Sequence, residues 1–423
     1  MADTSRPAPH SPATGPGRGT ARITGLDVAR CVAIFWMFVA HIGPDRDAGG
    51  VNRLLWLGDG REAALFALLA GVSLTLVHRS RPPAPWRERE GGDGFGRFVR
   101  KTLIRAAVVL LLGLALAGME TGVLVILPFF ALYFVLALPA LYLSTNSLFV
   151  VAAWWAVLGP LVSFGLRSSW HQTQPGYRVP DLEAFGDPGE MATTLFVTGT
   201  YPVLTWMPFV LAGMAVGRLD LLDRTVQRLL VEFGTVAAVV GYGSSWLLIN
   251  VFGGRDALSA AAADWFATPP TDKDPVLVML AWFTGTVPAD DVVWLTVAQG
   301  HSGTPFEIVG ATGVGCAVLG ICLRVGASAR AGTWLAVPAA VGAMSLSVYT
   351  VHLIAGWSPL TPGAGSWVRL GAYTAAAGGG AWLWSRFAGK GPLESVIAFA
   401  ADGWRRGSTG RPGRAGAAGP RTE

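Results

Sequence analysis

Arg30 and His41 stand where ionisable side chains are costly and usually functional, inside an apolar run that begins near Ile23 and is long enough to cross a bilayer. An imidazole can take up a proton at neutral pH, and a guanidinium can hold an anion or a polarised oxygen, so the pair could perform acid–base and anion-binding chemistry. Eleven helical steps of about 100° return nearly to the starting direction, so the two side chains share a face and lie roughly 16 Å apart along the axis. The competing reading has Arg30 snorkelling to the interface and His41 as a polar residue at a helix end.

Other chemistry-bearing residues cluster in three further stretches. Asp59, Arg61 and Glu62 open the next apolar segment. Asp59 either fixes a histidine tautomer or accepts backbone N–H groups at a helix start. Arg61 and Glu62 either pair with each other at the surface, or Arg61 holds a carbonyl or phosphate oxygen bidentately. His301 and Ser302 lie in the Gly-rich stretch HSGTPFE, with Glu307 at the start of another apolar segment. They read as a site or as an outer-loop turn. Tyr349 and His352 share one late segment, where His352 positions a substrate or bonds a neighbouring helix.

These residues need membrane elements to position them. The chain of 423 residues is 52% hydrophobic and 14% charged, a balance suited to an all-α bundle of membrane helices. Apolar segments fall at 23–42, 61–78, 98–117, 123–143, 147–166, 195–217, 228–251, 306–325, 332–355 and 366–388, about ten spans. Alternate connectors are basic, among them Arg79 to Lys101, Arg218 to Arg228 and the tail after Arg386; the others are mostly acidic. The positive-inside rule then puts both termini in the cytoplasm. A shorter apolar piece, Pro275 to Thr286, reads as re-entrant or interfacial within a long outer loop.

With this parity His41, Asp59, Arg61, Glu62, His301, Glu307, Tyr349 and His352 all fall at the outer end, a convergence that marks a site. Residues 1–20 read as a disordered cytoplasmic leader, 21–403 as the membrane domain and 404–423 as a disordered basic tail. The net charge of +5 is spread over connectors and does not imply nucleic acid. Cys31, Cys316 and Cys322 lie in apolar segments, so neither a disulfide nor a metal site is expected. Gly213 and Gly217 form a GxxxG, and Gly378 to Gly380 thin a later helix; both read as close-packing surfaces.

The Gly25-Leu26-Asp27 stretch with Arg30 and His41 resembles the first-helix motif of membrane-embedded acyltransferases, both bacterial O-acyltransferases and the heparan-alpha-glucosaminide N-acetyltransferase type. GDGREAALFALLAGVSLTL is similar to their second helix, Tyr349 to His352 to their late Tyr-x-x-His, and Gly391-Pro392-Leu393-Glu394 to a short ending of the bacterial members. The resemblance implies a multi-pass cell-membrane enzyme with no permanently bound cofactor. It would move an acyl group, most simply acetyl, from cytoplasmic acyl-CoA (acetyl-CoA) to an outward-facing sugar hydroxyl or amine of an envelope glycan or glycolipid. It further implies His41 as base or acyl carrier, with Asp59, Arg61 and His352 beside it. Glu62, His301, Glu307 and Tyr349 would bind the acceptor. Asp27, Arg30 and the basic connector would meet the coenzyme's phosphates, although the positive-inside rule also accounts for those charges. A homodimer is left open. The alternative class is a secondary transporter of a small polar solute, which commonly shows paired halves; no internal repeat is found here.

Overall fold

The computed structural model describes residues 23–44, 56–79, 93–119, 122–171, 178–265, 274–281, 284–328, 332–357 and 365–403, and the expected leader and tail lie outside them. Among these residues every regular element is helical. In chain order they are α1 (Thr24–Ile42), α2 (Arg61–Arg79), α3 (Asp93–Ala117), α4 (Leu127–Leu136), α5 (Thr145–Ser169), α6 (Pro188–Thr193), α7 (Val203–Val216) and α8 (Arg224–Asn250). There follow α9 (Gly254–Ala263), α10 (Pro275–Ala281), α11 (Pro305–Gly326), α12 (Ala336–Ala343), α13 (Ser345–Trp357), α14 (Ser366–Phe387) and α15 (Pro392–Gly403).

The helix starts follow their capping residues. Ser144 accepts the Ser147 N–H ahead of α5, Asp223 the Thr225 N–H ahead of α8, and Thr304 the Glu307 N–H ahead of α11, each satisfying an orphan donor of a first turn.

Five helices, α1, α2, α5, α8 and α11, are long and apolar enough to cross a membrane, or seven crossings result if two bent pairs are each one span. The remaining expected segments differ for physical reasons. Segment 123–143 folds as the ten-residue α4, a break and one 3-10 turn, too short a helix to cross by itself. Segments 98–117 and 366–388 do form helices of 25 and 22 residues, but α3 carries Arg97, Arg100, Lys101 and Arg105, and α14 is diluted by Gly and Ser. Segment 195–217 is broken between Thr198 and Val203 with a bend of 59°, and segment 332–355 bends by 79° at Met344. The Pro275 to Thr286 piece is a seven-residue helix that packs with α9 and Trp294 in a small separate cluster.

α1 is the central strut, packed against α2, α11, α12 and α14. Close backbone approach sets the tightest contacts. A Cβ on Gly213 would sit 1.9 Å from the Leu68 carbonyl oxygen, so the GxxxG of α7 does seat that helix against α2. A Cβ on Gly342 would sit 1.7 Å from the Asp27 carbonyl oxygen, so α12 meets α1 backbone to backbone just before the 79° bend. The α14 glycines behave differently: Gly378 faces Val337 at 3.2 Å, but Gly379 and Gly380 have open space and do not mediate packing.

These contacts predict opposite outcomes for one substitution. Gly342→Ala forces a backbone collision and should destabilise the protein by about 1–3 kcal/mol or more. Gly379→Ala meets nothing and should be neutral or stabilising by up to about 1 kcal/mol through helix propensity. Thermal unfolding of both variants in detergent distinguishes them, and equal melting temperatures would refute the α1–α12 contact.

Candidate active site

α1 carries His41 to its last turn, and α13 carries His352 to meet it. The rings are parallel to within 6° with centroids 5.2 Å apart, and His41 Nδ1 lies 3.0 Å from His352 Nε2. His352 Nδ1 lies 2.6 Å from the Tyr349 carbonyl oxygen. A carbonyl can only accept, so His352 Nδ1 carries the hydrogen. In the neutral ring Nε2 is then an acceptor, and His41 Nδ1 must donate to it. This leaves His41 Nε2 with its lone pair uncommitted among the described residues. The direction of the relay thus follows from one backbone oxygen. His352 is 5% exposed, enclosed by Phe38 and Tyr349, whereas His41 is exposed.

A second cluster sits at the same end. Gly60 has φ +73°, and a Cβ there would lie 2.5 Å from Gly300 Cα, so the turn before α2 rests directly on the loop before α11. That contact brings Glu62 Oε1 to 3.8 Å from His301 Nε2, an ion-pair distance longer than a hydrogen bond. His301 itself adopts φ +62°, a left-handed conformation uncommon outside glycine. Its ring packs on Trp206 and Tyr201, with centroids 5.9 and 5.6 Å away. Arg61 donates from Nε to the Tyr242 hydroxyl at 3.0 Å and from Nη1 to the Asp59 carbonyl at 2.9 Å, with its guanidinium over the Tyr242 ring.

Three buried polar atoms in this cluster, Glu62 Oε2, His301 Nδ1 and Glu307 Oε1, have no hydrogen-bond partner. Each leaves a desolvation cost of about 1–3 kcal/mol that a bound hydrogen-bonding molecule would offset. Burial alone would lower the His301 pKa, but the Glu62 carboxylate, with Asp59 and Glu307 behind it, outweighs burial and raises it above the ordinary imidazole value. The turn before α2 also packs on α1, with Gly58 against Trp36, so the two clusters form one unit.

A cavity of about 390 Å³, within the range of small-molecule sites, approaches this unit from the other direction. Its walls are mainly apolar, among them Phe66, Leu69, Phe130 and Phe134, and its charges come from Arg30, Arg105 and Glu394. Tyr349 is the lining residue that touches His352, and its hydroxyl accepts the Ile126 N–H at 3.3 Å.

Several sequence expectations are revised by this geometry. Arg61 and Glu62 do not pair with each other; Tyr242 and His301 take them instead. The Asp59 carboxylate bonds no histidine and caps no helix among the described residues, and it acts on His301 only through its charge. Asp27 is buried and does not line the cavity; it holds Arg30 at 2.8 Å, while Arg30 also donates to Ser73 at 2.6 Å and faces the cavity. Glu394 on the cavity wall belongs to the Gly391–Glu394 run noted in the sequence, whereas Arg105 beside it and Tyr242 under Arg61 carried no signal beyond charge or aromaticity, because their roles depend on helix pairing.

A family model described as "Heparan-alpha-glucosaminide N-acetyltransferase, catalytic" matches residues 22–251, just over half of the chain. No curated protein and no solved structure matches. The matched region holds His41, Asp59, Arg61 and Glu62, and the structure brings His301, Glu307, Tyr349 and His352 to them from beyond it.

The His301 shift has a signed consequence. A raised folded pKa means the Glu62–His301 pair contributes fully below the unfolded value of about 6.5 and loses that contribution as pH rises through the folded value. Melting temperature should therefore fall over that window in the native protein. Glu62→Gln should flatten the fall, and an unchanged profile would exclude the pair as its source.

Proposed function

The chain belongs to the heparan-alpha-glucosaminide N-acetyltransferase catalytic family, and from that membership we propose that it moves an acetyl group from cytoplasmic acetyl-CoA to a hydroxyl or amine of an outward-facing envelope glycan or glycolipid. The reading places about ten crossings in the cell membrane with both termini inside. α3, α14 and the α4 segment complete the count despite their charge or breaks.

The observation that carries this reading is the uncommitted Nε2 of His41, whose partner His352 touches the cavity-lining Tyr349, at the end of the protein that also holds the unpartnered Glu62 Oε2 and Glu307 Oε1. The donor's acyl-bearing arm enters the apolar cavity, with its phosphates toward Arg30 and Arg105. The acceptor's O–H or N–H groups satisfy Glu62 Oε2 and Glu307 Oε1. His41 Nε2 then removes the proton from the acceptor atom as that atom attacks the thioester carbonyl carbon. The C–S bond breaks, and the imidazolium returns the proton to the departing thiolate, giving free coenzyme A and the acetylated acceptor.

His352 stabilises the transient imidazolium, because its Nε2 accepts the His41 Nδ1–H more strongly once His41 is charged. Arg61, whose Nη2 has no hydrogen bond among the described residues, supplies a donor for the oxyanion of the tetrahedral intermediate. A transporter reading accounts for polar groups in the membrane but gives no reason for a directed imidazole pair at a cavity's end.

Three variants test the assignment in inverted membrane vesicles supplied with radiolabelled acetyl-CoA. His41→Ala should reduce label transfer to envelope glycan to background while leaving membrane insertion intact, and His352→Ala should reduce it roughly 10²-fold or more. Ser73→Trp, which fills the cavity without touching the histidines, should raise the donor KM with little change in kcat. Normal transfer by His41→Ala would remove the mechanism, and an unaffected KM in Ser73→Trp would remove the cavity from it.

A further inference from the structure

α13 begins inside the protein, immediately after the 79° bend, so its first N–H groups need partners that water does not supply. They find one on α15. Glu394 Oε1 accepts the Leu346 N–H at 2.9 Å and the Ser347 N–H at 3.2 Å, and Oε2 accepts the Ser347 hydroxyl at 2.5 Å. The Ser347 oxygen in turn accepts the Leu393 N–H at 3.1 Å. Both carboxylate oxygens are therefore spent on one helix terminus, where negative charge also suits the helix dipole.

The surrounding residues are those the contact needs. A Cβ on Gly391 would lie 2.0 Å from Glu394 Oε2, so only glycine lets the carboxylate turn back toward α13. Pro392 occupies the first helical position, where its missing N–H costs nothing. The Gly-Pro-Leu-Glu run is thus a clamp, with its glycine for clearance, its proline to start α15 and its acid to reach the neighbouring helix. Ser347 precedes Tyr349 by two residues and His352 by five, about a turn and a half of α13.

We propose that Glu394 is a positioning residue of the transfer reaction: by capping α13 from α15 it fixes the height and rotation at which His352 meets His41. The proposal rests on the acyltransferase reading for its kinetic consequence but not for its structural one. Glu394 also lines the cavity, and the alternative role of touching the donor makes a different kinetic prediction.

The test uses the full chain in lipid nanodiscs, with acetyl-CoA as donor and coenzyme A as binding probe. Glu394→Ala should lower kcat ten- to a hundred-fold, the range expected of a small misplacement at a reacting centre, with donor KM and coenzyme A affinity changed less than two-fold. Glu394→Gln, whose amide oxygen still accepts both N–H groups, should recover most of kcat. Ser347→Ala, which removes one leg of the clamp, should fall between them. A wild-type kcat in Glu394→Ala overturns the proposal, as does a raised KM with unchanged kcat, or a Gln variant as defective as Ala.

A second readout needs no activity. Spin labels at Leu57→Cys and Val351→Cys, both exposed positions outside the machinery, report the distance between the turn before α2, which packs on α1 through Gly58 and Trp36, and α13. Glu394→Ala should shift or broaden that distribution, and an unchanged distribution overturns the proposal. Absence of transfer in the wild-type protein with a shifted distribution would instead fail the acyltransferase reading and leave the clamp standing.

Discussion

The hydrogen bond between His41 and His352 sets a demand that much of the bundle serves. Two neutral imidazoles at 3.0 Å can bond only if one donates and the other accepts, and the Tyr349 carbonyl decides which. A bond of this length between helices 311 positions apart tolerates little sliding of α13 against α1. The absence of side chain at Gly342 fixes the separation where α12 crosses α1, and the bend at Met344 redirects the chain. α13 then carries His352 about two turns, roughly 10 Å, beyond the bend to where it meets His41. A continuous helix through residues 336–357 would carry His352 elsewhere.

The parts of this arrangement that periodicity governs were legible in the sequence. The face shared by Arg30 and His41 is a property of one helix, and both residues do turn toward the α12–α13 side. The convergence of Asp59, Arg61, Glu62, His301 and Glu307 followed from counting crossings, since parity sorts residues by depth without knowing which helices touch. Pairing within that depth was not legible. Arg61 and Glu62 are adjacent in sequence and look like an ion pair, but successive helical residues diverge by about 100°, so one reached Tyr242 and the other His301. The interruptions of the expected spans escaped notice for a related reason. Apolar content measures the preference for hydrocarbon and says nothing about whether backbone continues, so the breaks at Ala137, Gly199 and Met344 were invisible.

The Glu62–His301–Glu307 cluster carries energetic tension that a folded core would not retain. His301 occupies a left-handed backbone conformation, and Glu62, His301 and Glu307 each keep a buried polar atom without a partner. Costs of this kind persist where surrounding structure over-determines the site. Here the determinants are the contact of Gly60 with Gly300 and the packing of the His301 ring on Trp206 and Tyr201. Beyond the backbone, the tension consists of two acceptor oxygens and a ring nitrogen lacking a hydrogen-bonding partner. A hydroxylated or aminated molecule relieves it, and an apolar one does not.

The breaks and the site are linked by the backbone's own requirements. Non-helical chain at membrane depth is tolerated only where protein buries it or a cavity receives its polar groups. The break between Thr198 and Val203 is covered by Gly285, whose oxygen accepts the Thr205 hydroxyl at 3.3 Å, and by the loop that holds His301, whose carbonyl accepts the Gly285 N–H at 2.6 Å. The break at Met344 is covered by α15, whose carboxylate takes the freed N–H groups of α13. Each interruption therefore commits a distant segment to lie against it: the loop that brings His301 in one case, the terminal helix in the other. Straightening either helix would satisfy its backbone locally and release the segment that the site needs, so the irregularity of α7 and α13 is what ties the region beyond residue 251 to the histidine near the chain's beginning.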